Sequence, residues 1–118
     1  RVAEYIQRIT PLLIDRSAIP VGIVSDVWWR FAATYGPHSP LVLNLGRLGH
    51  RWFVGPLEAI NNLLLHELGH HFSANHLSNE YHDALTALGA RMTALALSNP
   101  ELFQLRDQSL RNNEEEFQ

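Results

Sequence analysis

Leu57-Glu-Ala-Ile-Asn-Asn-Leu-Leu-Leu-His66-Glu67-Leu68-Gly69-His70-His71-Phe72 is the stretch on which the fold turns. Pro56 stands where a helix can begin, and no proline interrupts the run from Leu57 to Phe72. The first half is apolar nearly all round (Ile60, Leu63, Leu64, Leu65), the pattern of a buried helix. His66 and His70, four residues apart on that helix, project from one face about one turn apart. Two neutral imidazoles so placed can take adjacent corners of a tetrahedral zinc site. Glu67 lies between them and can reach a water on the metal without being a ligand. Zinc lowers the pKa of such a water to roughly 7, and a carboxylate can take its proton as it attacks a carbonyl. The competing reading is a surface helix with exposed histidines and a salt-bridged Glu67. The apolar character of the helix argues against it, as does the crowding of five of the seven histidines between positions 66 and 82. Gly69 costs such a helix about 1 kcal/mol relative to alanine, which points to a close approach there.

A catalytic zinc needs a third protein ligand and an open fourth position. His76 follows His70 by six residues, and Ser73-Ala74-Asn75-His76 reads as a turn. The pattern His66-Glu67-x-x-His70-x-x-Ser73-x-x-His76 resembles the metzincin clan of zinc peptidases, whose long motif is HExxHxxGxxH. The resemblance covers eleven residues and implies three histidine ligands, His66, His70 and His76, with Glu67 as the base. Ser73 departs from the motif glycine, and with it from the left-handed turn glycine makes easy. The clan's methionine-containing turn has no counterpart either, since Met92 falls in a helical stretch and reads as core. A gluzincin-like arrangement is the other option, in which an acid on the following helix completes the site. Asp83 shares a helical face with Ala87, Ala90 and Ala94, small residues that would allow close approach; Glu80 lies one turn earlier. If His76 is the ligand, Asp83 could still orient a ligand histidine.

Working outward, residues 2–14 read as a helix through Val2, Ile6, Ile9 and Leu13, with Pro11 inside it. Three β-prone runs come next: Ile19 to Val24, Trp28 to Tyr35 and Leu41 to Leu45. An exposed edge among residues 41–45 would suit an extended substrate. Ser78 or Asn79 caps a helix reaching about Leu97, with Tyr81, Leu85, Leu88, Met92 and Leu95 as its core stripe. Asn99-Pro100 starts a short last helix, and Glu114-Glu115-Glu116 reads as a solvated tail. Of the remaining histidines, His71 points away from the His66/His70 pair, and His38 and His50 sit in turns. His82 and Tyr81 could donate to a developing oxyanion, although Tyr81 falls on the core stripe. Trp28, Trp29 and Trp52 read as packing anchors. Gly46-x-x-Gly49 is no phosphate loop, because no long helix comes directly after it.

Composition narrows the function classes. Apolar residues make up 46 % of the chain and the formal charge is −3, with nine arginines, no lysine and no basic stripe. Neither nucleic acid nor a membrane surface is expected as a partner. The absence of cysteine removes disulfides, thiol nucleophiles and cysteine zinc sites, and fits the cytosol. No apolar run approaches the ~20 residues of a membrane span. The start at Arg1, mid-pattern and without methionine, reads as a fragment or processed product of a longer protein. In that light, Asn44-Leu45-Gly46-Arg47-Leu48-Gly49, Asn75-His76-Leu77-Ser78 and Tyr81-His82-Asp83-Ala84-Leu85 resemble the C-terminal part of bacterial proteins with a histidine-kinase-like ATPase domain at their front. That resemblance implies an ATPase domain ahead of Arg1.

The expected fold is one small α+β, zincin-like domain over residues 1–118. A short sheet from residues 19–45 would cover one side of the central helix 57–72, with the C-terminal helices on the other. The expected function is zinc-dependent hydrolysis of a peptide or protein substrate. The alternative is a metal-stabilised regulatory or interaction module, attached to an ATPase, that does no turnover.

Overall fold

A computed structural model of the chain describes residues 1–105 except positions 15, 17, 18 and 37. The acidic run Glu114–Glu116 lies outside the described residues.

Helix α1 (Val2–Leu13) runs through Pro11 and buries Val2, Tyr5, Ile6, Ile9 and Leu13 on one face. Those positions recur at the helical period, so a single stripe of side chains leaves water together. Strand β1 (Val21–Val24), strand β2 (Ala33–Thr34) and strand β3 (Leu41–Asn44) form a mixed sheet in the order β1-β3-β2. β1 pairs parallel with β3 (Val21 opposite Leu41), and β2 pairs antiparallel with it (Ala33 opposite Leu43). β3 is therefore central. The exposed edge expected among residues 41–45 does not exist, because that segment is hydrogen-bonded on both sides and its Leu41 and Leu43 are buried. The edge strands are β1 and β2.

The expected strand from Trp28 to Tyr35 shrinks to two residues, and the cause is Asn44. Its side chain is fully buried at the end of β3. Asn44 Oδ1 accepts from the backbone N–H groups of Asp26 and Gly46, and Nδ2 donates to the carbonyls of Asp26 and Phe31. The Asp26 carboxylate accepts from the Trp28 N–H, closing a local turn. Held this way, residues 26–31 form a loop instead of a ladder. Gly46 is part of the same device: a Cβ there would lie 2.9 Å from the Asp26 nitrogen. Trp28 and Trp29 are 92 % and 41 % exposed, so they are not packing anchors. Trp52 is half-buried against the core, as expected.

A four-residue helix, α2 (Leu45–Leu48), and a 3₁₀ turn (His50–Val54) lead into α3 (Leu57–Gly69). α3 buries Ile60, Leu64 and Leu68 in the core shared with α1 and the sheet. The Tyr5 hydroxyl donates to Asn61 Oδ1 at 2.6 Å, which pins α1 to α3. Helix α4 (Asn79–Ser98) packs against α3; Ser78 is its N-cap, accepting from the Tyr81 N–H. Tyr81, Leu88 and Met92 are buried along α4, and Leu85 and Leu95 are half-buried, which matches the expected stripe. Pro100–Leu102 is a single 3₁₀ turn. No helix among the described residues is long and apolar enough to cross a membrane.

Candidate metal centre

α3 ends three residues earlier than its sequence suggests, and this ending creates the site. Beyond Gly69 the chain winds on in tight turns, with His70, His71 and Phe72 N–H bonding to the carbonyls of Glu67, Leu68 and Gly69. A network of short polar side chains then turns it back. Ser73 Oγ and Ser78 Oγ lie 2.9 Å apart, the Asn75 N–H donates to Ser73 Oγ, and the Leu77 N–H donates to Asn75 Oδ1. These side chains compete with the helix for backbone groups, which is why serine and asparagine end helices. No non-glycine residue among the described ones has a positive φ. Ser73 thus achieves the break without the left-handed conformation for which the motif glycine is suited.

The turn carries His76 back over the end of α3. His66 Nε2 and His76 Nε2 lie 3.1 Å apart, and the ligand atoms of His66, His70 and His76 all fall within 4.8 Å of one another. Tetrahedral zinc with Zn–N bonds of about 2.0–2.1 Å needs imidazole nitrogens roughly 3.3–3.4 Å apart, so modest side-chain rotation would seat an ion among the three. His70 Nδ1 lies 3.1 Å from the Ser73 carbonyl oxygen. A carbonyl only accepts, so Nδ1 carries the proton and Nε2 keeps the lone pair that a metal needs. The donor set fits a mononuclear metal ion.

Glu67 faces the same groove from inside. It is buried, with 6 % of its surface exposed, and among the described residues its carboxylate makes no hydrogen bond or ion pair. Burial alone pushes its carboxyl up to about 7. The His66 imidazole is held below its usual value by partial burial first and by its histidine neighbours second. The groove is walled on the far side by β2 and its flanks, with Phe31, Ala33 and Tyr35 facing His66, His70 and His76.

Gly69 explains itself here. A Cβ on it would stand 2.6 Å from the Tyr81 ring, so the glycine lets α4 come down on α3. The Tyr81 hydroxyl then donates to the His66 carbonyl at 2.8 Å. That commitment, together with 3 % exposure, takes Tyr81 out of contention as an oxyanion donor. His82 is exposed and stands outside the cluster. Asp83 and Glu80 are outside it too. Their stretch of α4 opens on a different recess, with Leu13 and Phe72, and Ala87, Ala90 and Ala94 face solvent. The small-residue face read from the sequence is real but looks away from α3; the close approach is made by Gly69. His71 bonds the Tyr35 hydroxyl at 3.2 Å, pointing away from the cluster as expected, and His38 and His50 are exposed.

The sequence did not single out Tyr35, Phe31 or Arg30, which line the groove and its extension. Their positions depend on Asn44 and the loop it holds, a long-range arrangement with no local pattern. No protein-family model, curated protein or solved structure matches this chain.

Proposed function

We propose that the protein is a zinc-dependent hydrolase of peptide bonds, with His66, His70 and His76 holding the ion and Glu67 acting as general base. The observation that carries this reading is the return of His76 to the His66/His70 pair beside a buried Glu67 that has no partner among the described residues. The likeness of the motif to that of the metzincins supports it. A zinc ion bound there supplies a Lewis acid that polarises a carbonyl and brings the pKa of a water down to roughly 7. Glu67 takes the proton from the attacking water and can pass it to the leaving amine. Tyr81 holds the backbone of His66 in place, and the Ser73 carbonyl holds the ring of His70. An extended substrate would add to β2, the edge strand bordering the groove.

The second reading, a metal-stabilised interaction module that does no turnover, is favoured by one observation. The Asn44-clamped loop displays Val27, Trp28 and Trp29 outward. One experiment separates the two. The purified protein is assayed for metal content and for cleavage of a denatured protein substrate, beside Glu67→Gln. The hydrolase binds about one zinc and cleaves, and Glu67→Gln keeps the zinc while losing cleavage. Zinc without cleavage, across broad peptide libraries, supports the interaction module. Absence of zinc in a folded, zinc-supplied protein defeats both.

A further inference from the structure

The groove does not stop at the histidines. A second recess shares Phe31, Ala33, His66 and Glu67 with it and runs in the opposite direction, away from His70 and His76. It encloses about 540 Å³. Its lining is about equally apolar, from Trp52, Leu63 and Ala59, and polar, from Arg30, Asn62, His66 and Glu67. Among the described residues, Arg30 is the only arginine lining either arm.

Arg30 is exposed, yet it is not loose in direction. Its guanidinium carbon lies 5.3 Å from the centre of the Phe31 ring. Stacking on an aromatic face leaves the in-plane N–H donors of a guanidinium available, in the fork that matches a carboxylate. Among the described residues Arg30 has no ion-pair partner; the pair Arg8–Glu4 is elsewhere, on α1. Of the acids near it, Asp26 accepts from the Trp28 N–H, Glu58 lines an adjoining recess that shares Ala59 and Asn62 with this arm, and Glu67 lies at the junction of the two arms.

We infer that this arm binds an acidic substrate side chain, aspartate or glutamate, close to the bond that is cleaved. Trp52 and Leu63 take the methylene stem, Arg30 meets the carboxylate, and Asn62 donates beside it. The inference rests on the hydrolytic reading and names the substrate class for the same site.

The test is a binding measurement on the zinc-loaded protein, which needs no turnover. The probes are acetohydroxamate, which has no side chain, and peptide hydroxamates carrying glutamate, glutamine or leucine next to the chelating group. The glutamyl probe should bind ~5-fold more tightly than the leucyl one, the upper end for an ion pair at a rim. In Arg30→Glu that ratio should fall to one or below, and in the unaltered protein it should shrink in high salt. A glutamine probe that binds as tightly as the glutamyl one would overturn the charge recognition. If acetohydroxamate binds and the glutamyl-to-leucyl ratio is the same in both proteins, the acidic subsite is wrong while the hydrolytic reading stands. If acetohydroxamate fails to bind, the metal has no open position, and both are overturned.

Discussion

Glu67 is a residue that the fold buries while, among the described residues, its carboxylate has no hydrogen-bond or ion-pair partner, and that has a measurable consequence. Its carboxyl sits near 7 in the folded chain against 4.5 unfolded. A group whose folded pKa is raised contributes stability that is complete below 4.5 and lost as pH rises through about 7. In the metal-free protein, therefore, Glu67→Gln should have little effect at pH 4.5 and should stabilise at pH 8, by on the order of 2–3 kcal/mol. Denaturant titrations of both proteins in chelator at the two pH values check this. A difference that does not change with pH would mean Glu67 is solvated in solution. The histidines are tested separately. His76→Ala should lower zinc affinity as severely as His66→Ala, because both rings contribute a nitrogen to one cluster. Asp83→Ala should leave it near the unaltered value, since Asp83 lines a different recess. Competition with a chromogenic zinc chelator ranks the three, and a loss in Asp83→Ala equal to that in His66→Ala would restore the histidine-histidine-carboxylate alternative.

At the scale of elements, the site depends on how closely α4 lies on the end of α3. Gly69→Ala places a methyl group 2.6 Å from the aromatic ring of Tyr81 and close to Leu85 as well. Helix propensity favours alanine by about 1 kcal/mol, but overpacking a helix contact costs roughly 1–3 kcal/mol. The expected result is net destabilisation, with weaker zinc binding because Tyr81 would be pushed off the His66 carbonyl. Gly89→Ala is the control. Nothing lies within 4 Å of a Cβ at Gly89, so that change should stabilise by about 0.5–1 kcal/mol. Thermal melts of the two variants should move in opposite directions. The same pair shows what a sequence can disclose. Gly69 was readable as a close approach because a glycine inside a helix has a local cost. The identity of the group approaching it was not, since Tyr81 and the alanines of α4 satisfy the same 3.6-residue period on different faces. α1, the cap at Ser78 and the core stripe of α4 were legible for that local reason. The loop at residues 26–31 was not. An apolar, aromatic run favours a strand by itself, and what overrides it is a buried asparagine thirteen residues beyond Phe31. The turn at 73–76 was legible from its serine and asparagine, whereas the groove wall opposite it depended on sheet order, which local pattern does not give.

Across the whole molecule, the candidate ligands come from two places with unequal support. His66 stands on α3, which is tied to α1 by the Tyr5–Asn61 bond and to the core by Leu64 and Leu68. His76 stands on a turn held by short-range hydrogen bonds, with its own side chain and Leu77 exposed. A metal bound to both would tie the least supported stretch between the two long helices to the best supported one. Binding to the folded chain alone stabilises it by mass action, by about 2.7 kcal/mol when free zinc is 100-fold above its dissociation constant. For a domain of this size that corresponds to a rise in Tm of roughly 10 °C. Calorimetry with zinc buffered at increasing free concentration should show Tm climbing with its logarithm. The rise should vanish in His66→Ala and His76→Ala and persist in Asp83→Ala and in a His71→Ala, His82→Ala double variant. The double variant matters because exposed histidines bind zinc weakly and nonspecifically. A rise that survives in His66→Ala but disappears in that double variant would place the ion away from Glu67, and the groove would then have no metal to serve.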